Sequence, residues 1–356
     1  MNSNNRYNRQ TKLAGFGKKR QEMLANSKVL VIGLGGLGIP VIQYLNAMGI
    51  GTLGIVENDN IEIHNLQRQV IYLENDIGKK KIAVAKDLLK KQNSETKIIS
   101  FDAYFSKKNA LEIIEKFDLV VDASDNFSTR YLINDTCIIL NKVFIYGAIY
   151  GFEGQISVFN YKNGPTYRCL FPKMPNSDEV PSCDVNGVLG ILPGIVGSNQ
   201  ALEAIKILTD LEEVMSGKLW LFDALKQTIN KINFKQNPKN KEITKLKSSY
   251  EEVLCDTEES ISCENFLKIQ KKQNYILIDV RDKEEFDSYN IDDSLNIPLA
   301  DIENSFNPPF HNQQVYLICK SGKRSFEAVE IFNRRYPKTK FKSIIGGLDK
   351  FKILCH

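Results

Sequence analysis

A glycine-rich turn between an apolar strand and a helix is the feature that most constrains how this chain can fold. The stretch VLVIGLGGLGIP, residues 29–40, begins with four apolar residues typical of a buried strand and continues with Gly33, Gly35 and Gly38. Glycines at this G-x-G-x-x-G spacing let a phosphate approach the backbone at a helix N-terminus. Glu57, at the end of the next predicted strand, is the acidic residue expected on ribose hydroxyls, so these residues taken alone favour NAD.

The segments that follow the turn predict an α/β fold with a Rossmann-like doubly wound sheet. From residue 28 to residue 147 apolar strands alternate with segments of helical spacing, which is typical of right-handed βαβ units and a mostly parallel sheet. The stretch GQISVFNY then predicts an added strand, for which antiparallel pairing is one option, and KLWLFDAL with QTINKINF predicts a closing hairpin. Residues 164–190 are rich in Pro, Gly and Ser and predict a long functional loop.

The chain is long enough for two domains, since 356 residues exceed one average domain. Residues 236–260 are polar and charged, and we interpret them as a linker. The predicted domains are therefore 1–235 and 261–356, the second being a smaller α/β unit.

Charge and composition exclude several classes of function. The formal net charge of +4 is small for this length, so no nucleic-acid partner is expected. The sequence has no run of about 18 apolar residues, which is the length needed to span a membrane. The polar N-terminus does not resemble a secretory signal. Seven scattered cysteines favour a reducing cytoplasm over a disulfide framework, and three distant histidines make a histidine-based metal cluster unexpected.

Polar residues beyond the second strand shift the preference from a dinucleotide to a triphosphate. Asn65, Arg68 and Lys81 are expected at the carboxyl edge of the sheet, where Arg and Lys stabilise the larger charge of a triphosphate. Asp125 and Asn126 follow the fourth strand and are placed for Mg²⁺ and for the nucleotide.

Five motifs in one order resemble the MoeB/ThiF-type adenylyltransferases, which are bacterial relatives of ubiquitin-activating enzymes. The resemblance covers about residues 5–235 and rests on RYNRQ, GLGGLG, NLQRQ, DN and EGQISVF. It implies ATP and not NAD. It also implies that the C-terminal Gly-Gly carboxylate of a small ubiquitin-like sulfur carrier attacks the α-phosphate and gives an acyl-adenylate and pyrophosphate.

The same resemblance assigns roles to single residues. Gly36 packs against the nucleotide, Glu57 binds the ribose where the family usually has Asp, and Asp125 holds Mg²⁺. Arg9 resembles an arginine finger donated across a dimer, which implies a homodimer. The residues implied on the phosphates are Asn65, Arg68 and Lys81. No general base is needed, because a carboxylate is already ionised at neutral pH.

Two cysteines of the first domain are compared with the family. Many members have a Cys-x-x-Cys at the position of Cys169 and a second pair near the domain's end, which together bind zinc. Here Thr166 replaces the first Cys, and NFKQNPKNKEITKL has none, so no zinc is expected. Cys183 aligns with a thiol of the crossover loop that links covalently to the carrier in some relatives and is dispensable in others. An inert Cys183 stays an open alternative.

A third cysteine heads a basic loop, LICKSGKRS, in the second domain. Cys319 is predicted at the end of a buried strand, followed by a glycine turn and a helix beginning near Ser325. Backbone amides and the helix N-terminus stabilise an anion at sulfur, and Lys320, Lys323 and Arg324 are expected to add positive charge. We therefore predict a nucleophilic thiol, with a buried structural cysteine as the alternative.

The flanking segments resemble a rhodanese domain. LIDVRDKEEFDSYNI matches its D-V-R…E-[FY] element and IIGGLDKF its closing Gly-Gly element, with Phe351 where Trp is common. Asn290 replaces the usual His. Asp279 and Arg281 are expected to brace the cysteine loop. A Cys-x4-Arg loop is one residue shorter than the loop of a Cys-x5-Arg phosphatase, which favours sulfur over phosphate as the group handled.

The two resemblances together imply a sequence of reactions. Cys319 takes sulfane sulfur from a donor such as a cysteine desulfurase, and the persulfide attacks the acyl-adenylate and releases AMP. A disulfide with Cys183 then frees the carrier thiocarboxylate. The alternatives are an NAD-dependent oxidoreductase with a rhodanese appendage, a non-catalytic carrier-docking protein, and activation of a carboxylate on tRNA. The pathway stays open among molybdopterin, thiamine and tRNA thiolation.

Overall fold

The computed structural model describes residues 6–175, 187–211, 213–248, 250, 259–270, 275–302, 314–336 and 339–355. The chain divides into two compact units, residues 1–252 and residues 253–356. Cys183 lies outside the described residues.

The first unit contains an eight-stranded mixed sheet. Its strands are β1 (Lys28–Ile32), β2 (Thr52–Glu57), β3 (Lys97–Asp102), β4 (Leu119–Asp122), β5 (Val143–Tyr150), β6 (Glu153–Phe159), β7 (Lys218–Asp223) and β8 (Thr228–Asn233). Their spatial order is β3-β2-β1-β4-β5-β6-β7-β8. The first five strands in that order are parallel, and the last three pair antiparallel. The predicted fold class is confirmed, and so are the antiparallel added strand and the closing hairpin.

Helices cover both faces of this sheet. They are α1 (Asn8–Thr11), α2 (Gly17–Asn26), α3 (Gly38–Ala47), α4 (Lys81–Gln92), α5 (Ala110–Glu115), α6 (Phe127–Ile139), α7 (Tyr167–Leu170) and α8 (Ile191–Leu208). Short 3₁₀ turns lie at Ile63–Asn65, Glu74–Asp76, Tyr161–Asn163 and Pro238–Lys241. Among the described residues, none of the helices is both long and apolar enough to cross a membrane.

The apolar run of β1 explains why both faces are covered. Val29 and Val31 belong to one buried cluster, whereas Leu30 and Ile32 belong to the cluster on the other face. Successive strand residues point to opposite faces, so a continuous apolar strand needs a packed layer on each side. The chain leaves β1 toward β2 on one side, and β4 lies on the other. This reversal of strand order creates a crevice at the carboxyl ends of β1 and β4.

Part of the predicted linker packs against the first unit. Leu246 and Tyr250 contact the apolar cluster that contains Phe144 and Phe159. Leu246 and Tyr250 of the predicted linker therefore pack with the first unit. The boundaries of the two predicted domains, 1–235 and 261–356, stay a prediction.

A buried carboxylate ties this extension to the sheet. Asp135 of α6 is fully buried and accepts two hydrogen bonds from the guanidinium of Arg168, at 2.7 and 2.8 Å. The Tyr250 hydroxyl donates to the same carboxylate at 2.8 Å, and the Asn134 amide donates at 2.8 Å. A buried charge is stable only when it is paired and hydrogen-bonded. Asp135 meets this condition by using a residue from the end of the unit.

The second unit contains a five-stranded parallel sheet. Its strands are β9 (Ser260–Ser262), β10 (Tyr275–Asp279), β11 (Leu295–Asn296), β12 (Gln314–Ile318) and β13 (Phe341–Ile345), in the spatial order β11-β10-β12-β13-β9. Its helices are α9 (Cys263–Gln270), α10 (Lys283–Ser288), α11 (Leu299–Ile302), α12 (Lys323–Arg335) and α13 (Gly347–Cys355). A buried cluster lies on each face of this sheet as well.

Replacing Tyr250 with Phe tests the anchoring of the extension. Tyr250→Phe removes one hydrogen bond from the buried carboxylate of Asp135, so we expect a loss of about 1.5 kcal/mol in the free energy of unfolding of the first unit. The urea midpoint can be followed by the fluorescence of Trp220, the single tryptophan of the chain, which lies in β7. Tyr44→Phe, at an exposed tyrosine, should leave the midpoint unchanged. An unchanged midpoint in Tyr250→Phe would contradict the anchoring.

Candidate active sites

Backbone contacts leave no room for side chains at two positions of the glycine turn. Gly33 has a φ of +97°, and a Cβ there would lie 2.6 Å from the carbonyl oxygen of Ala123, at the end of β4. A Cβ at Gly38 would lie 2.0 Å from the carbonyl oxygen of Gly33. The turn is therefore pressed between the ends of β1 and β4, and the N-terminus of α3 lies directly behind it. Such a turn presents backbone amides and a helix N-terminus to an anion.

Glu57 braces the turn from the end of β2. One carboxylate oxygen accepts a hydrogen bond from the backbone N–H of Leu34 at 2.9 Å. The other accepts from the N–H groups of Asn58 at 2.8 Å and Asp59 at 3.0 Å. The acidic residue predicted on the ribose thus lies at the mouth of the turn, and its orientation is fixed by three amides.

Lys81 is linked to the same network through Asp59. Its side chain is almost completely buried, and its Nζ lies 3.0 Å from Asp59 Oδ2. The backbone N–H of Lys81 donates to the Asp59 carbonyl at 3.0 Å. Since the Asp59 N–H donates to Glu57, one residue connects the predicted ribose ligand with the predicted phosphate ligand.

Arg68 and Asn65 lie on the segment that covers the turn. A Cβ at Gly36 would lie 2.9 Å from Pro193 and 3.4 Å from Cγ of Arg68, so the arginine stem passes directly over Gly36. Its guanidinium donates to the His64 carbonyl at 2.9 Å. Asn65 is buried and accepts from the N–H of Glu62, which holds the local 3₁₀ turn.

Gln69 is a residue of this site that the sequence analysis did not single out. It is buried, and its Nε2 lies 3.9 Å from the position of a Cβ on Gly35. Its Oε1 has no hydrogen-bond partner among the described residues. The residue belongs to the quoted motif NLQRQ, so the signal was present in the sequence.

Asp125 and Asn126 lie at the start of α6. The Asn126 side chain caps this helix by accepting from the N–H of Thr129 at 2.9 Å. Asp125 is exposed one residue before the cap and accepts from the Asn126 amide at 3.3 Å. Asn126 therefore has a structural role as a cap, and Asp125 offers an exposed carboxylate two residues after Ala123, whose carbonyl oxygen contacts the turn.

A buried ion pair lies beneath Asp125, and the sequence analysis did not predict it. Asp122 Oδ1 accepts from the Ser124 N–H at 3.0 Å and from its hydroxyl at 2.6 Å, while Arg130 donates to the Ser124 carbonyl at 3.1 Å. Asp122 Oδ2 and Arg130 Nε lie 3.9 Å apart. Burial raises the pKa of Asp122, although Arg130 and Ser124 oppose this effect. The pair fixes the segment that carries Asp125.

Arg9 is exposed on α1, and α1 contacts the chain at Met48 and Gly49, just beyond α3. Tyr7, two residues before it, packs against Gly49, just beyond the end of α3 that is remote from the turn. Ten residues of helix span about 15 Å. Among the described residues Arg9 has no hydrogen bond or ion pair, so its guanidinium is available to another molecule.

In the second unit Cys319 lies at the end of β12 with its side chain buried. Its sulfur accepts a hydrogen bond from the Gly322 N–H at 3.1 Å, and the Ser325 hydroxyl donates to it at 3.6 Å. α12 begins directly after Gly322, so its N-terminus lies next to the sulfur. These contacts stabilise negative charge on sulfur.

The closing Gly-Gly element holds this loop from the other side. A Cβ at Gly347 would lie 2.3 Å from the Cys319 carbonyl oxygen. The N–H groups of Leu348 and Asp349, in the first turn of α13, donate to the carbonyls of Cys319 and Lys320, each at 2.9 Å. The loop is thus fixed by backbone hydrogen bonds from the next segment of the fold.

Arg324 does not act as a free positive charge beside the sulfur. Its guanidinium makes two hydrogen bonds to the Glu285 carboxylate, at 2.6 and 2.9 Å, and lies 3.8 Å from Asp282. The hydrogen bond from Arg324 lowers the pKa of Glu285. Arg324 therefore shares its charge with a counter-charge on α10 that the local sequence does not reveal, and its role beside the sulfur stays a prediction.

Asp279 and Arg281 form a buried pair at the end of β10. The Arg281 guanidinium donates to Asp279 at 2.7 Å and to the carbonyls of Glu285 at 3.0 Å and Tyr289 at 2.6 Å. The pair holds α10, and α10 holds Arg324. The predicted bracing is therefore indirect in this structure.

Cys169 lies where the sequence analysis considered zinc. Its sulfur accepts hydrogen bonds from the N–H groups of Thr166 at 3.4 Å and Asn237 at 3.3 Å, and from the Asn240 amide at 3.5 Å. Burial alone would raise the pKa of the Cys169 thiol, but these hydrogen bonds outweigh it and lower the pKa. Within the described ranges no group of three or more His, Cys, Asp or Glu could hold a metal ion.

Comparisons with known proteins match both units of the chain to families. The ThiF family model matches residues 7–244, and the rhodanese-like domain model matches residues 262–354. The Arabidopsis thaliana protein named adenylyltransferase and sulfurtransferase MOCS3 is 36% identical over 382 residues, which cover 97% of this chain and 82% of the relative. A sulfur carrier protein adenylyltransferase from Thermus thermophilus is 46% identical over 239 residues, covering 66% of this chain and 88% of the relative.

A solved structure has the fold of the first unit. The crystal structure of E. coli MccB with ATP has a TM-score of 0.58 and 24% sequence identity, and the match covers 66% of this chain and 73% of that chain. At this identity the similarity shows the fold alone.

The thiol of Cys169 should be more reactive than that of Cys137. Hydrogen bonds lower the pKa of Cys169, so a larger fraction is thiolate at pH 8, whereas burial raises the pKa of Cys137. Iodoacetamide with site-resolved mass spectrometry should label Cys169 first. Asn240→Leu should slow the alkylation of Cys169 by about threefold, since the hydrogen bond from the Asn240 amide to the Cys169 sulfur is lost. Asn230→Leu, at an exposed position of β8, serves as the control. Equal rates at Cys169 and Cys137 would contradict this assignment.

Proposed function

The chain belongs to the ThiF family and carries a C-terminal rhodanese-like domain, and on this premise we propose that it activates and thiolates a small sulfur carrier protein. It is an adenylyltransferase and sulfurtransferase, like relatives that align with nearly all of it. The observation that carries the proposal is the presence, in one chain, of the glycine turn with Arg68 over it and the Cys319 loop with donors to its sulfur. This combination supports the proposed function over an NAD-dependent oxidoreductase and over a non-catalytic docking protein.

In the first reaction the carrier's C-terminal Gly-Gly carboxylate attacks the α-phosphorus of ATP. A bond forms between the carboxylate oxygen and phosphorus, and the bond to the pyrophosphate oxygen breaks. The products are carrier acyl-adenylate and pyrophosphate. The glycine turn, with Gly33, Gly35, Gly36 and Gly38, would hold the nucleotide, and Glu57 would bind the ribose. Arg68 and Lys81, supported by Asn65 and Asn126, would neutralise phosphate charge.

Asp125 fits the requirements of a Mg²⁺ ligand. The ion commonly takes one or two carboxylates together with substrate phosphates, and Asp125 supplies one exposed carboxylate near the turn. When bound, Mg²⁺ would neutralise charge on the leaving pyrophosphate.

Arg9 supports a homodimer as the working form. Its helix packs at the end of α3 that is remote from the turn, and its guanidinium has no partner among the described residues. A second copy would receive this arginine at its phosphates. Charge neutralisation by an arginine from another subunit is a known device in phosphoryl transfer.

In the second reaction Cys319 supplies the sulfur. A persulfide donor such as a cysteine desulfurase transfers its outer sulfur to the Cys319 thiolate and leaves as a thiolate. The Cys319 persulfide then attacks the acyl carbon, and AMP leaves, which gives an acyl disulfide. Attack by Cys183 on the Cys319 sulfur releases the carrier thiocarboxylate and forms a Cys183–Cys319 disulfide. An external dithiol reduces that disulfide and resets the enzyme.

The proposed setting is a reducing cytoplasm, without nucleic-acid or membrane partners. Four described cysteines, Cys137, Cys169, Cys263 and Cys319, are free thiols, which supports a reducing compartment. The carrier's pathway stays open among molybdopterin, thiamine and tRNA thiolation.

Zinc does not fit the surroundings of Cys169. The groups around its sulfur are a threonine, two asparagines and backbone amides, which donate hydrogen bonds and are not the thiolate or imidazole ligands of a structural zinc site. We therefore expect less than 0.1 zinc per chain, about the level of a contaminant, in metal analysis of the purified protein. Stoichiometric zinc would contradict this prediction.

Two variants test the division of labour between the units. Arg68→Ala should reduce the rate of carrier-dependent ATP–pyrophosphate exchange by at least about 100-fold, because the negative charge on the ATP phosphates is no longer stabilised by the Arg68 guanidinium. Cys319→Ser should leave exchange intact and abolish thiocarboxylate formation. Lys79→Ala removes an exposed cation from the same region and should behave as wild type in both assays. Loss of exchange in Cys319→Ser would show that the two reactions are not divided in this way.

A further inference from the structure

Two buried hydroxyls lie beneath the sulfur of Cys319. Ser325 belongs to the first turn of α12 and Ser343 to the middle of β13, and both are inaccessible to solvent. Their oxygens are 2.8 Å apart, and either can be the donor. Nothing in the proposed reactions uses this pair.

The contacts of the pair are few and completely defined among the described residues. The Ser325 hydroxyl reaches three acceptors: the Cys319 sulfur at 3.6 Å, the Gly322 carbonyl at 3.0 Å and the Ser343 oxygen. The Ser343 hydroxyl reaches the Ser325 oxygen and the Gly322 carbonyl, the latter at 3.3 Å. Each hydroxyl has one proton, so each can donate to one acceptor at a time.

Two of the proton arrangements that these contacts allow differ in whether the sulfur receives a hydroxyl proton. In the first, Ser343 donates to Ser325, and Ser325 donates to the Cys319 sulfur. In the second, Ser343 donates to the Gly322 carbonyl, Ser325 donates to Ser343, and the sulfur receives no hydroxyl proton. The first arrangement suits an anionic sulfur, because charged acceptors form the stronger hydrogen bonds. The second suits a neutral thiol. Rotation of the two hydroxyls converts one arrangement into the other. It exchanges hydrogen bonds and breaks no covalent bond.

We propose that Ser343 is a positioning residue for sulfur transfer: its hydroxyl directs the single proton of Ser325 onto the Cys319 sulfur whenever that sulfur is anionic. Without Ser343, Ser325 keeps the Gly322 carbonyl as its nearer acceptor, and the sulfur loses its hydroxyl donor. The inference rests on the proposed role of Cys319 as the sulfur-accepting nucleophile. It adds a residue in β13, 24 positions away in sequence, that acts only through Ser325.

The charged groups around the loop stay the same when Ser343 is changed. Arg324 of α12 is paired with Glu285 of α10, and Asp279 is paired with Arg281 at the end of β10. The other charged residues of the loop and of the first turn of α13 are Lys320, Lys323, Asp349 and Lys350. Among the described side chains, the hydrogen bonds of the Ser343 hydroxyl are those with Ser325 and with the Gly322 carbonyl. A change in thiol reactivity in a Ser343 variant can therefore be assigned to the hydroxyl.

The test is the rate at which iodoacetamide alkylates Cys319 in the full chain, measured by site-resolved mass spectrometry between pH 6 and pH 10. The thiolate sulfur forms a bond to carbon and iodide leaves, so neither carrier nor ATP is required. Ser343→Ala should slow alkylation at pH 7 by about fivefold, because one hydrogen bond to the anion is lost, and its rate should approach that of wild type at high pH. Ser343→Thr keeps the hydroxyl and should restore the rate to within about twofold.

A double-mutant cycle separates positioning from a general structural effect. If Ser343 acts only through Ser325, Ser343→Ala should have no further effect in a Ser325→Ala background. Ser294→Ala removes a hydroxyl that donates to a local carbonyl in the same unit and should leave the rate unchanged. Additive losses in the double variant, or a wild-type pH profile in Ser343→Ala, would overturn the proposal. Carrier-dependent ATP–pyrophosphate exchange and thiocarboxylate formation, measured separately on wild type, report on the proposed function itself.

Discussion

The approach of backbone to backbone at the glycine turn is the constraint on which the first site depends. Gly33 lies against the carbonyl of Ala123, and Gly38 lies against the carbonyl of Gly33, so β1, β4 and α3 meet with no side chain between them. This contact fixes the carboxyl edge of the sheet. The Glu57 carboxylate accepts a hydrogen bond from the Leu34 N–H of the turn, and the Arg68 side chain passes over Gly36. Asp125 follows β4, the strand whose end contacts the turn. A side chain at either glycine would separate these elements and would disperse the groups that they carry.

Much of this arrangement could be predicted, because the relevant information is local in sequence. The continuous apolar run of β1, the glycine spacing and the polar residues after β2 are short-range patterns, and they are sufficient to predict the sheet and its carboxyl-edge crevice. The position of Gln69 could also have been found, since it belongs to the same motif. The family resemblance added the distinction between ATP and NAD, which the turn by itself does not make.

What could not be predicted depends on partners far away in sequence. The segment up to Tyr250 has the composition of a linker, and only the burial of Asp135 shows why its tyrosine is held. Arg324 has the sequence context of a free cation, but Glu285, 39 residues earlier, neutralises it. No sequence motif indicates the Asp122–Arg130 pair. In each case a buried or partly buried charge selects its partner by three-dimensional proximity, which a pattern along the chain does not contain.

The two backbone hydrogen bonds that hold the cysteine loop come from residues that follow the loop in sequence. The carbonyls of Cys319 and Lys320 are bound by amides of Leu348 and Asp349, which belong to the last helix. During synthesis the thiol therefore emerges well before the residues that shape its loop. A chain cut between Arg335 and Gly346 would keep the donors to the sulfur but would lose the two backbone hydrogen bonds that hold the carbonyls of the loop. The shape of the loop therefore depends on a segment that is synthesised after the thiol.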